Sequence, residues 1–210
     1  MASFPKSGFE AVRVMGVINV TPDSFSDGGR FDDPETALAQ ARRLITDGAD
    51  ILDIGGESTR PGAEPVSEAE EIARVAPLIA ALRADSRLPI SVDTMKPAVA
   101  RAAVAAGADI WNDVTALRGA PDSLDVAAEL GCEVVLMHMQ GEPRTMQAEP
   151  RYDDVVGEVA EFLAARAEAA IAAGVVHERI WLDPGIGFGK HMTAHNLPLL
   201  AGLDRLAHVV

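Results

Sequence analysis

Gly48-Ala49-Asp50-Ile51-Leu52-Asp53 returns, little changed, as Gly107-Ala108-Asp109-Ile110-Trp111-Asn112. A fainter echo is Gly131-Cys132-Glu133-Val134-Val135-Leu136. Each reads as a helix-ending glycine, a tight turn and a buried strand closing on a polar residue, Asp53, Asn112 and His138 in turn. Outward from these units the same pattern fills the chain. Short apolar runs rich in Val and Ile predict strands over 12–19, 50–54, 89–93, 109–113, 133–138 and 179–183. Their length and composition suit strands buried on both faces. The amphipathic stretches between them predict helices over 34–47, 67–84, 96–106, 122–130 and 153–173. Ser67 followed by Glu70 is a capping-box start, and Gly48, Gly107, Gly131 and Gly174 mark helix ends.

Strands alternating with helices imply a parallel sheet, either open and doubly wound or closed into a barrel. The polar residues choose between the two. Nearly every predicted strand closes on a side chain able to do chemistry: Asn19, Asp53 with Glu57 beyond it, Asp93, Asn112 with Asp113, His138, and Asp183. A barrel gathers such ends into one mouth, whereas an open sheet spreads them along an edge. No glycine-rich nucleotide fingerprint follows the first strand. The expected fold is therefore an α/β barrel. No linker or low-complexity stretch divides residues 1–210, which read as a single domain.

Bulk properties narrow the partners. The 32 acidic and 18 basic residues give a formal charge of −14. That argues against nucleic acid or an anionic membrane surface, though a few local cations can still hold one phosphate group. The single cysteine, Cys132, lies in an apolar run and is expected to be buried and inert. No charged-then-apolar leader opens the chain and no apolar run reaches membrane-spanning length, so a cytoplasmic protein is expected.

Two segments carry most of the chemistry. Asn19-Val20-Thr21-Pro22-Asp23-Ser24-Phe25-Ser26-Asp27 follows the first strand with two carboxylates, three hydroxyls and an aromatic. Composition alone fits an ordinary surface loop, but Phe25 has no packing reason to be there, and such loops can close over substrate. Asp53-Ile54-Gly55-Gly56-Glu57-Ser58-Thr59-Arg60-Pro61 offers paired glycines for a close anion approach and a guanidinium clamp. Arg60 could equally be solvated or paired with Glu57.

Taken together, the two segments resemble the signature regions of the dihydropteroate synthases. Ser91-Val92-Asp93-Thr94, Trp111-Asn112-Asp113, Leu136-Met137-His138-Met139 and Leu182-Asp183-Pro184-Gly185-Ile186-Gly187-Phe188-Gly189-Lys190 follow in the family's order. The resemblance implies a (β/α)8 barrel of the TIM type and transfer of a pterin from its CH2-diphosphate to p-aminobenzoate. That places the reaction in tetrahydrofolate biosynthesis, the pathway that sulfonamides target. It implies that Asp93, Asn112 and Asp183 hold the pterin ring between Met137 and Phe188. Asn19, Thr59 and Arg60 fall on the diphosphate contacts, with Mg2+ near Asn19. Asp27, Phe25 and Pro61 shape the aminobenzoate pocket, and Asp93 and Asp27 are the catalytic carboxylates. A homodimer is implied for the full-length protein. The residue chemistry concurs, since an aminopyrimidinone edge needs a carboxylate acceptor and an amide offering both donor and acceptor. Asp93 also reads as a helix cap and Asp183 as a turn residue. His138 reads as a base or a hydrogen-bonded wall, Lys190 lacks P-loop spacing, and His177, His191 and His195 read as surface or loop residues.

The sequence departs from the family pattern near its end, where Ala207-His208-Val209-Val210 reads as the start of a seventh strand. The Ser-Arg-Lys and Arg-x-His segments that follow strands seven and eight in the family are not in this sequence. The expected barrel is therefore truncated after about six strands. It would expose two sheet edges and apolar interior, with little of the parent activity. Other readings are a non-catalytic pterin-binding paralogue, and a methyltetrahydrofolate enzyme that the two signature loops disfavour.

Overall fold

The computed structural model describes residues 12–21, 34–58, 62–142 and 145–209. Six strands alternate with helices: β1 (Met15–Asn19), α1 (Pro34–Thr46), β2 (Ile51–Gly55), α2 (Glu68–Asp85), β3 (Ile90–Asp93), α3 (Pro97–Ala106), β4 (Ile110–Asp113), α4 (Ser123–Leu130), β5 (Glu133–Met137), α5 (Val155–Ala173) and β6 (Ile180–Asp183). Two short helices, α6 (Leu197–Ala201) and α7 (Leu203–Leu206), close the described chain. All strand pairs are parallel and their order in the sheet is their order in sequence. Right-handed crossovers in one unreversed direction put every helix on the same side. A doubly wound sheet would need a reversal, and there is none.

The core lies between that side of the sheet and the helices. Ile18, Leu52, Ile54, Ile90, Val92, Trp111, Val134 and Leu136 pack there against Ala41, Val75, Val99, Val126 and Ala167. Because side chains alternate along a strand, the other face receives Met15, Ile51, Ile110, Val135 and Trp181, a cluster built from strands alone. The sheet is rolled toward this face. Arg13, just before β1, stacks its guanidinium 4.4 Å from the Trp181 ring of β6, so the two edge strands approach each other across it. Rolling also tempers the expected exposure of apolar barrel interior. Val17 is half exposed, but Ile51, Ile110 and Val135 are buried.

Local signals set the boundaries. The Ser67 hydroxyl accepts from Glu70 N and the Asp154 carboxylate from Gly157 N, so both residues stand outside their helices as caps. Gly107, Gly131 and Gly174 each end a helix with a left-handed backbone. The predicted start of a seventh strand is not observed: Ala207 and His208 form a turn after α7. Cys132 is buried, which pushes its thiol up to about 11 and leaves it inert at neutral pH. No described helix is long and apolar enough to cross a membrane.

Candidate active site

Parallel register aligns the strand ends on the rolled face. Asn19 pairs with Gly55, Gly55 with Asp93, and Asp93 with Asn112, one row across four strands. Gly55 is the gap in that row. A Cβ there would sit 3.4 Å from Asn19 Oδ1 and 3.5 Å from Asp93 Oδ2, so the bare backbone lets the two polar side chains converge. One step deeper, Asp53 pairs with Ser91, and Asn112 Nδ2 donates to Asp53 Oδ2 at 3.2 Å. Met137 of β5 pairs with Asp183 of β6. Met137 and Phe188 pack in one apolar cluster with Val114, Met139, Met146 and Met95.

This row is polar, exposed at Asn19, half-buried at Asp93 and Asn112, and incompletely bonded. Asp53 Oδ1 and Asp93 Oδ1 are buried with no hydrogen-bond partner among the described residues. Buried acceptors without donors are costly in a resting protein and useful in one that captures a donor-bearing ligand. Asp183 Oδ1 accepts from Gly185 N at 2.7 Å, so its turn-residue reading holds. Asp93 caps nothing. The residue before α3 is Lys96, whose backbone N–H donates to Thr94 Oγ1, and Asp93 is left facing the site.

Burial raises all three carboxyls. Asp93 is raised well above the ordinary range by desolvation and then by the charges of Asp53, Asp113, Glu71 and Glu57. Desolvation raises Asp53, with Ser91 and Asn112 opposing and Asp183 adding to it. Desolvation also raises Asp183, while Gly185 N–H and Lys190 pull it back. A carboxyl raised on folding stabilises the fold below its unfolded value, and that contribution is lost as pH rises through the folded one. At pH 7 these groups therefore cost stability. Asp53→Asn is expected to raise Tm at pH 7 by roughly 2–4 °C, the shift about 1 kcal/mol makes in a chain this size. The gain should shrink near pH 4, and calorimetry at the two pH values checks it.

The loop after β2 is held from behind. Lys96 Nζ donates to Glu57 Oε2 at 2.7 Å, Glu71 Oε2 at 2.6 Å and Val66 O at 2.6 Å, and Arg74 donates to Gly56 O at 2.7 Å. Glu71 is completely buried. A cleft of about 650 Å3 opens beside the polar row, lined by Glu57, Ser58, Met95, Thr115 and Met139 among others. It borders the site but is not walled by Asp93, Asn112 or Asp183. Phe25, Asp27, Thr59, Arg60 and Pro61 lie outside the described residues.

The histidine of the β5 loop and the lysine of the β6 loop meet each other. His138 is buried, edge-on to Phe162 at 4.9 Å, and Lys190 Nζ sits 2.9 Å from its Nδ1. Desolvation and then the Lys190 charge hold His138 down at about 4, so it is a neutral wall residue. His177 and His191 are exposed as expected, but His195 is buried, because a π-turn folds its Nδ1 back to accept from His191 N. Among the described residues, no three His, Cys, Asp or Glu side chains group as a metal site. Sequence reasoning flagged Asp53 only as a strand end. Its bond to Asn112 depends on register between residues 59 apart.

Known proteins share this sequence and fold. The pterin binding enzyme family matches residues 15–210. The chain is 49% identical over 193 residues to dihydropteroate synthase of Synechocystis sp., covering 92% of this chain and 66% of that one. Against dihydropteroate synthase of Neisseria meningitidis serogroup C it is 51% identical over 203 residues, covering 95% and 70%. Among solved structures, Xanthomonas albilineans dihydropteroate synthase with 4-aminobenzoic acid superposes with a TM-score of 0.85 at 57% identity, covering 92% of this chain and 68% of that one. The Yersinia pestis enzyme in a sulfonamide complex gives 0.88 at 48%, covering 94% and 71%. The chain thus spans about two thirds of the length of the relatives it matches.

Proposed function

Because the chain belongs to the pterin binding enzymes, and among them to the dihydropteroate synthases, we propose that its polar row captures 6-hydroxymethyl-7,8-dihydropterin diphosphate for condensation with p-aminobenzoate. The products are 7,8-dihydropteroate and diphosphate. The observation that carries this reading is Asp93 beside Asn112 on the face that also carries Asp183, with a buried Asp93 oxygen that lacks a donor. Asp93 and Asp183 accept from the N–H groups of the pterin, Asn112 offers one donor and one acceptor, and Met137 and Phe188 flank the ring.

In the reaction the C–O bond to diphosphate breaks, the amine nitrogen forms the new C–N bond, and the amine gives up a proton. Positive charge grows on the pterin methylene as diphosphate leaves. Asp93, and Asp27 from the loop after β1, are placed by this reading to stabilise that charge electrostatically. Asn19, with Thr59 and Arg60, takes the diphosphate, and Phe25 and Pro61 border the aminobenzoate. Mg2+ fits at Asn19. The Asn19 side chain is exposed at the strand end beside bare Gly55, a neutral donor suited to an ion that draws its other ligands from phosphate and water. Bound there, the ion supplies neutralisation of the departing diphosphate. A cytoplasmic location, a homodimer of the full-length protein, and small-molecule substrates without nucleic acid or membrane belong to the same reading.

Isothermal titration of the chain with the pterin diphosphate and Mg2+, followed by an assay with labelled p-aminobenzoate, tests it. Saturable one-site binding is expected. A folded chain that gives no binding heat would count against the reading, and the product assay separates binding from turnover.

A further inference from the structure

Lys190 is 3% exposed, yet its Nζ meets no carboxylate within hydrogen-bonding distance among the described residues. Four acceptors surround it instead: His138 Nδ1 at 2.9 Å, His138 O at 3.1 Å, Gly185 O at 3.0 Å and Phe188 O at 3.0 Å. An ammonium has three donors, so these four share them. Packing alone does not account for this arrangement. An apolar side chain of similar length would fill the space without the cost of desolvating a charge.

The cation draws the carbonyls on either side of the 185–188 turn to one point and ties them to the β5 loop. Asn196 secures the turn from outside, its Oδ1 accepting from Gly187 N at 3.0 Å. The approach is close enough that a Cβ on Gly185, at φ +66°, would overlap the His138 carbonyl. Two side chains of the polar site hang on that turn: Asp183, bonded to Gly185 N, and Phe188, whose carbonyl Lys190 holds. The two charges also favour each other. Lys190 offsets part of the burial that raises Asp183, while burial itself lowers Lys190 to about 8.

We propose that Lys190 is a positioning residue of the pterin site, fixing the turn after β6 so that Phe188 and an ionised Asp183 face the ligand. The assignment rests on the pterin-binding reading. The neutral His138 is its necessary partner, since only a bare Nδ1 can accept from the ammonium.

NMR of the whole chain, labelled with 15N and 13C, tests the proposal. The sequence holds only three lysines, so the Lys190 amine can be assigned. In the wild type it should exchange slowly with water, and His138 should remain neutral down to about pH 5. In Lys190→Met, the Asp183 carboxyl should titrate higher, His138 should move toward its ordinary value, and affinity for the pterin diphosphate should fall about tenfold or more. A purely structural lysine would lower stability without moving the Asp183 titration. An unchanged Asp183 titration in the folded variant overturns the proposal. So does a wild-type Lys190 amine that exchanges like a free lysine, a result that needs no variant to fold. If wild-type chain shows the slow amine and neutral His138 but binds no pterin, the functional reading fails and the Asp183 shift alone decides the role of Lys190.

Discussion

Replacing Asp93 by asparagine is expected to weaken binding of the pterin diphosphate by roughly 30- to 100-fold while making the ligand-free chain more stable. The two effects share one cause. Asp93 Oδ1 is buried without a donor, and desolvation with four neighbouring carboxylates behind it raises its proton affinity. An amide of the same shape removes that repulsion, so folding improves. The same amide turns an N–H donor toward the N–H groups of the pterin. The loss is that of a charge-assisted bond plus an unpaired donor, about 2–3 kcal/mol. Binding needs the ionised carboxylate, whereas burial in the free protein shifts the group toward its protonated form. Wild-type affinity should therefore fall as pH drops through the raised Asp93 range, and Asp93→Asn should flatten that dependence. Titration calorimetry of both proteins between pH 5 and pH 8.5 measures it. Equal affinities at pH 8.5 would sink the assignment of Asp93.

Lys96→Met is expected to cost about 3 kcal/mol of folding stability, a large share of what a single domain has. Lys96 carries the charge between Glu57 and Glu71, and Glu71 has no exposure at all. Burial alone would lower the Lys96 pKa, yet the two carboxylates outweigh it and raise it. A raised lysine stabilises the fold throughout the range below its unfolded value, and the benefit disappears only as pH climbs through the folded one. Removing it at pH 7 strands two carboxylates in a half-dry pocket. The figure sits at the low end for buried pairs because Lys96 keeps a fifth of its surface in water. Adding Glu71→Gln to Lys96→Met should return part of the loss, as a double-mutant cycle by urea unfolding would show. A single-variant loss under about 1 kcal/mol would mean the cluster is solvated. The consequence for function is local, since Glu57 anchors the loop that leads to Thr59 and Arg60.

The sequence was legible where each residue reports its own burial. Alternating Val and Ile runs, Ser67 and the helix-ending glycines placed six strands and their helices to within a few residues. The family resemblance names Asn19, Asp93, Asn112 and Asp183, and the register sets the first three in one row. What stayed hidden depends on partners distant in sequence. The Asn112–Asp53 bond and the Lys190–His138 contact each span more than fifty residues, and no periodicity encodes them. Lys190 lacks P-loop spacing, and its carbonyl neighbours come together only in the folded chain. His195 reads as a surface residue, yet a π-turn, which has no strong sequence signal, carries it inward. Val209 reads as strand on composition, yet the turn at Ala207 and His208 leaves it outside the sheet.

Chemical-shift mapping with the pterin diphosphate and Mg2+ tests the central claim most directly. The account predicts that saturating ligand shifts the amides of Asp93, Asn112, Met137 and Asp183 together, along the C-terminal ends of β3 to β6. Shifts confined to the neighbouring cleft around Ala63, Gly119 and Gly141, with the four strand ends unmoved, would contradict it.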